Sequence, residues 1–93
     1  MELDCRDQGL TELPELHGVA KLFCSRNKIS VISELPCGLE GLWCAGNELK
    51  KLVKLPCTLI ELSCCYNDLK YMPRLNDRLQ RLYCQENKLR RLP

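Results

Sequence analysis

The sequence predicts a solenoid: a single domain over residues 1–93, with about five short parallel strands on its concave face, an extended, polyproline-like convex side and little or no helix. Three observations lead there. One frame recurs, as LFCSRNKISVI from Leu22, LWCAGNELKKL from Leu42, LSCCYNDLKYM from Leu62 and LYCQENKLRRL from Leu82, with Asn27, Asn47, Asn67 and Asn87 spaced by 20 residues each time. A period of that size marks stacked units, each unable to bury its apolar face alone. Within each frame, L-x-C reads as strand alternation. A repeat of 20 residues also leaves no room for a full helix beside the strand, so the return path must be extended.

The elements follow in order. The first repeat, residues 1–18, is irregular: Leu3, Cys5, Leu10 and Leu13 stand 19 residues ahead of Leu22, Cys24, Ile29 and Ile32. Gln8 fills its asparagine slot, and one residue is missing between His17 and Val19 when compared with Pro36 to Leu39. In each strand, residues such as Leu62 and Cys64 point one way while Glu61, Ser63 and Cys65 point the other. Stacked in parallel about 4.8 Å apart, the strands direct the Leu and Cys columns inward. The asparagine falls where the chain turns out of the strand. Its amide satisfies backbone groups that the bend would leave buried and unpaired, and stacked asparagines are expected to form a structural ladder from repeat to repeat. Further apolar slots follow, Leu49, Leu52, Leu55 and Leu59 in one turn and Leu69, Met72, Leu75 and Leu79 in the next. Proline stiffens this side at one of two slots in each turn: Pro14 then His17, Ser33 then Pro36, Val53 then Pro56, Pro73 then Asn76. The last repeat stops, incomplete, at Leu92 and Pro93.

The resulting frame, L-P-x-L-P-x-x-L-x-x-L-x-[VC]-x-x-N-x-L-x-x-L, resembles the shortest class of leucine-rich repeat, the 20-residue kind of bacterial effectors such as YopM and the IpaH group. The cysteine in place of the usual valine also resembles the leucine-rich proteins of giant viruses. The resemblance covers essentially the whole chain. It implies a platform for binding other proteins, not an enzyme, acting in the cytoplasm and, for an effector, in that of a host cell. Effectors of this class add a catalytic ubiquitin-ligase domain or a helical N-terminal cap, for which these 93 residues hold no counterpart.

Composition bounds the chemistry. A net charge of +2 names no anionic partner. The start, MELDCRDQ, lacks a basic segment followed by an apolar run, and no stretch approaches the roughly 18 apolar residues of a membrane span, so a soluble, cytoplasmic protein is expected. Cys5, Cys24, Cys44, Cys64 and Cys84 occupy the inward column as buried thiols, small hydrophobes in valine's place. No metal or other cofactor is expected there, because zinc needs ligands converging in a tetrahedron and one cysteine per parallel strand makes a straight column. Disulfides suit the in-register Cβ vectors poorly, and without a secretory signal the thiols should be reduced. Cys37 and Cys57 share a slot after the proline, with Asp77 in the next turn, and are expected to be partly covered. Cys65 stands in an outward slot as the candidate reactive thiol. The alternative is a small residue that happens to be exposed, since no histidine or basic side chain evidently stands beside it.

The outward slots carry the candidate site. Between Leu and Cys the column reads Asp4, Phe23, Trp43, Ser63, Tyr83, and just before the asparagine it reads Asp7, Arg26, Gly46, Tyr66, Glu86. Four of the five aromatics, Phe23, Trp43, Tyr66 and Tyr83, thus share the concave face. Such clusters are enriched at binding hot spots, although aromatics also pack across strands on one another. Flanking charges of both signs, Lys21, Glu61 and Arg81, make a mixed rim that suits a protein partner better than a phosphate backbone. Replacing Trp43 and Tyr83 with Ser is expected to leave folding largely intact and weaken association.

The convex edge, with Lys28, Lys50, Lys51, Lys70, Lys88, Arg90 and Arg91, suits nucleic acid less well, since Glu48 and Asp68 interrupt it and the aromatics lie elsewhere. No nucleophile with a base and an orienting group can be assembled around the single histidine, His17. The expected function is therefore a non-catalytic protein-interaction module. The alternative is a self-assembling structural protein, a homodimer or stack formed through the concave face or the uncapped ends. Nucleic-acid binding is a distant third.

Overall fold

Alternation confined to L-x-C yields strands of three residues: β1 (Glu2–Asp4), β2 (Lys21–Phe23), β3 (Gly41–Trp43), β4 (Glu61–Ser63) and β5 (Arg81–Tyr83). They form one parallel sheet in chain order, β1-β2-β3-β4-β5, in a computed structural model that describes residues 1–90. Leu3, Leu22, Leu42, Leu62 and Leu82 are register partners in succession. Among the described residues there is no helix.

The backbone ladder outlasts the strands. Cys24 N–H donates to Trp43 O (2.8 Å), Arg26 N–H to Ala45 O (2.9 Å), and beyond the turn Glu48 N–H donates back to Ile29 O (2.9 Å). Turns are therefore stitched on both sides of the asparagine. Leu22, Leu42 and Leu62, Cys24, Cys44 and Cys64, and Ile29, Leu49 and Leu69 fill the interior with no solvent exposure. Each is covered by its equivalents above and below, which is how a chain this short encloses a dry core.

The asparagine slot carries out its expected task by a different route. Asn47 Nδ2 donates to Cys24 O (3.1 Å) and Cys44 O (3.0 Å), while its Oδ1 accepts from Ile29 N–H (3.0 Å). Asn27, Asn67 and Asn87 repeat the pattern. The ladder runs from amide to backbone of the preceding turn and not from amide to amide, because each side chain is saturated by main-chain groups. Among the described residues no buried side-chain N or O lacks a partner.

The convex side returns to the sheet through one corner per turn. Val19 N–H bonds Leu16 O, Leu39 N–H bonds Pro36 O, Leu59 N–H bonds Pro56 O and Leu79 N–H bonds Asn76 O, at 3.1–3.4 Å. The first corner is thus complete, so the residue missing from the first repeat lies ahead of it, between Leu13 and Leu16, and not between His17 and Val19 as the apolar spacing implied. His17 consequently stands in the slot of Cys37, and Leu16 takes the proline's. Asn76 replaces Pro36 and Pro56 at its corner and compensates with a bond from Nδ2 to Pro56 O (2.8 Å).

Candidate functional site

The outward side chains of β1 to β5 form a connected row. Phe23 and Trp43 stack with ring centroids 4.4 Å apart and planes 4° from parallel. The Arg6 guanidinium lies 5.4 Å from the centroid of the Phe23 ring, within cation–π range, so this ring contacts a cation as well as an indole. Trp43 folds down over Gly41, where a Cβ would stand 2.5 Å from indole Cζ3 and collide with Cη2 too, so glycine is required there. The indole Nε1–H donates to Glu61 Oε2 (2.7 Å), and Arg81 Nη1 donates to Glu61 Oε1 (3.2 Å). Charge and aromatic contacts therefore alternate from Arg6 to Arg81.

Asp4 holds Arg6 from below, accepting from its Nη2 at 2.7 Å and its Nε at 2.9 Å. The Arg6 side-chain bond and its backbone N–H lower the Asp4 carboxyl to a pKa of about 2. Asp7 is lowered in the same way by Arg26, whose Nε and Nη2 both reach it at 2.7 Å. Both pairs are exposed.

The second aromatic column differs from the strand continuation that alternation implied. Asp7, Arg26, Gly46, Tyr66 and Glu86 all have left-handed backbone, with φ of 57°, 57°, 71°, 56° and 59°. They belong to the turn, where the chain bends so that the next residue, the asparagine, points inward. Tyr66 is 65% exposed and Tyr83 43% exposed, whereas Phe23 and Trp43 are half-buried in their stack. The expected cluster of Phe23, Trp43, Tyr66 and Tyr83 is thus a packed pair beside two freer rings. Lys21 stands exposed in β2, and Glu61 and Arg81 are bonded to each other.

Among the thiols, Cys5, Cys24, Cys44 and Cys64 are buried as expected of the inward column. Cys84 is only half-buried, because β5 has a neighbouring turn on one side alone among the described residues. Burial pushes Cys24 and Cys64 up to about 12 and Cys44 well above the ordinary thiol range. Cys37 and Cys57 are fully exposed instead of partly covered, and the Cys65 thiol is half-buried, donating to Gln85 Oε1 (2.9 Å). No cluster of three or more His, Cys, Asp or Glu side chains among the described residues is arranged to hold a metal ion. On the convex edge Lys88 pairs with Asp68 at 3.2 Å, and Arg91 lies outside the described residues. No helix among the described residues is long and apolar enough to cross a membrane.

Parallel three-residue strands, a buried asparagine per turn and an extended return path define the molecule as a leucine-rich-repeat solenoid. Among solved structures it is similar to YopM, a leucine-rich effector protein from Yersinia pestis, with 29% sequence identity and a TM-score of 0.77 over 99% of this chain. The chain spans about a third of the length of that effector, 33%. No protein-family model matches it, and no curated protein does.

Proposed function

We propose that the chain is a non-catalytic protein-interaction module that binds a protein partner through its concave face, with Tyr66 and Tyr83 as anchors. Phe23 and Trp43 serve as the rigid platform beside them, and Lys21, Glu61 and Arg81 as the polar rim. The observation that carries the reading is Tyr66. It keeps a bulky, 65% exposed ring at φ 56° in a column where the preceding turn uses Gly46. A left-handed conformation costs an L-residue on the order of 1–2 kcal/mol. Backbone strain of this kind clusters at sites where function retains it. Similarity to a leucine-rich effector favours protein recognition over chemistry, and a reducing cytoplasm, that of a host cell for an effector, suits eight free cysteines.

A photoreactive phenylalanine analogue tests this when placed at Tyr66, at Tyr83, or at the exposed Tyr71 outside the strand face. Crosslinks to a partner in cells are expected from the first two positions and not from the third. Tyr66→Gly should unfold at the same or a higher denaturant concentration and yet lose the crosslink made from position 83. Undiminished crosslinking in that variant would sink the proposal. A product at twice the chain mass would identify the partner as a second copy, the self-assembling alternative.

A further inference from the structure

We infer that Cys37 and Cys57 form a two-coordinate thiolate site for a soft monovalent cation of the copper(I) or silver(I) class on the convex side. The corrected alignment of the corners makes His17, Cys37, Cys57 and Asp77 equivalent, each following the residue whose carbonyl closes its turn. The corners bearing the thiols are pinned together, Thr58 Oγ1 donating to Leu39 O at 2.7 Å and Ile60 N–H to Glu40 O at 2.8 Å. Both thiols are exposed, and they open into one groove that Leu35, Leu55 and Pro56 also line.

Spacing selects the chemistry. Turns of a parallel stack repeat every 4.7–4.9 Å or so, and equivalent side chains leave them along parallel vectors. A disulfide needs its sulfurs at about 2.05 Å and its Cβ atoms at about 3.8 Å, which parallel vectors one rise apart do not supply. Two thiolate–metal bonds of about 2.3 Å placed end to end span about 4.6 Å, close to one rise. The straight column that disqualifies a tetrahedral zinc site is therefore the shape a linear site requires. His17 and Asp77 lie one turn further out and complete no cluster of three with the pair. Thiolate ligands select soft ions such as copper(I).

On binding, two S–H protons leave and two metal–sulfur bonds form, so a monovalent ion leaves the site with one negative charge. Lys54, Arg74 and Arg78 line the same groove and balance it. The inward thiols have the same spacing but are sealed in the core, and Cys65 stands between Ala45 and Gln85 with no thiol one turn away.

The test is anaerobic titration of the full chain with copper(I) against bathocuproine disulfonate, read by absorbance and by native mass. One ion per monomer should be held against the chelator, with retention lost in Cys37→Ser and in Cys57→Ser and kept in Cys65→Ser. Circular dichroism of each variant verifies that these exposed positions leave the fold intact. Retention by either single corner variant, dependence on Cys65, an ion shared between chains, or complete surrender to the chelator would each overturn the assignment.

Discussion

The side chain of Asn47 joins two turns through bonds that no neighbouring residue can replace. Its loss would strand the Ile29 N–H and uncover the Cys24 and Cys44 carbonyls in a region closed to water. Asn47→Ala should therefore cost about 1–3 kcal/mol in urea unfolding, the range for a buried polar group left unmade. Asn87→Ala should cost less, because Asn87 is half-buried and water can reach the groups it releases. Equal losses would mean that solvent access does not set the penalty. The slot itself was legible in the sequence, since a bend out of a buried strand demands a residue that both donates and accepts. Its partners were not, because spacing reveals columns and not the direction in which a side chain reaches. The same limit hid Arg6, which is adjacent to the outward column in sequence yet lies against the Phe23 ring two turns' contacts away from Arg81.

At the level of the strand, β3 depends on the absence of a side chain. Gly41 leaves the space into which the Trp43 indole folds, and that position brings the ring both its stack with Phe23 and its bond to Glu61. Gly41→Ala should dislodge the ring, shifting tryptophan emission to the red and weakening the fold by at least the about 0.5–1.5 kcal/mol that aromatic pairing adds. Unchanged emission would show that the ring adapts without leaving Glu61. Trp43→Ser consequently belongs with the destabilising changes, contrary to the expectation that it spares folding, whereas the freer Tyr83 still fits that expectation. L-x-C alternation identified the strands and their inward columns because a period of two admits no other reading over so short a run. It overran at Tyr66, where nothing in the residue type announces a left-handed backbone. It also misplaced the gap in the first repeat, since apolar residues at Leu13 and Leu16 satisfy either alignment and only the Val19 to Leu16 bond decides.

Across the whole molecule, each strand pairs only with its sequence neighbours, so stability is a sum over seams. The buried thiols make that sum depend on alkaline pH. Their folded pKa lies above the ordinary value, at about 12 for Cys24 and Cys64, because burial disfavours the thiolate. Unfolded thiols ionise near 8.5, so the contribution is complete below that pH and is lost as pH rises toward about 12. The urea midpoint should accordingly fall between pH 8 and pH 10 or so, and Cys44→Val, close in volume and unable to ionise, should flatten the decline. An equally steep decline in the valine variant would assign the effect to other groups.

The backward reach of each asparagine has a further consequence. A segment such as Gly41–Ile60 carries its own strand and the amide that fastens it to the turn before, so tandem duplication in the gene would deliver a complete storey already equipped to dock. Every such event would widen the concave surface by about 4.8 Å without redesigning any residue outside the copy. The span of what this architecture can embrace is in that sense heritable in whole-number steps, open to adjustment by replication slippage before selection has altered a single side chain.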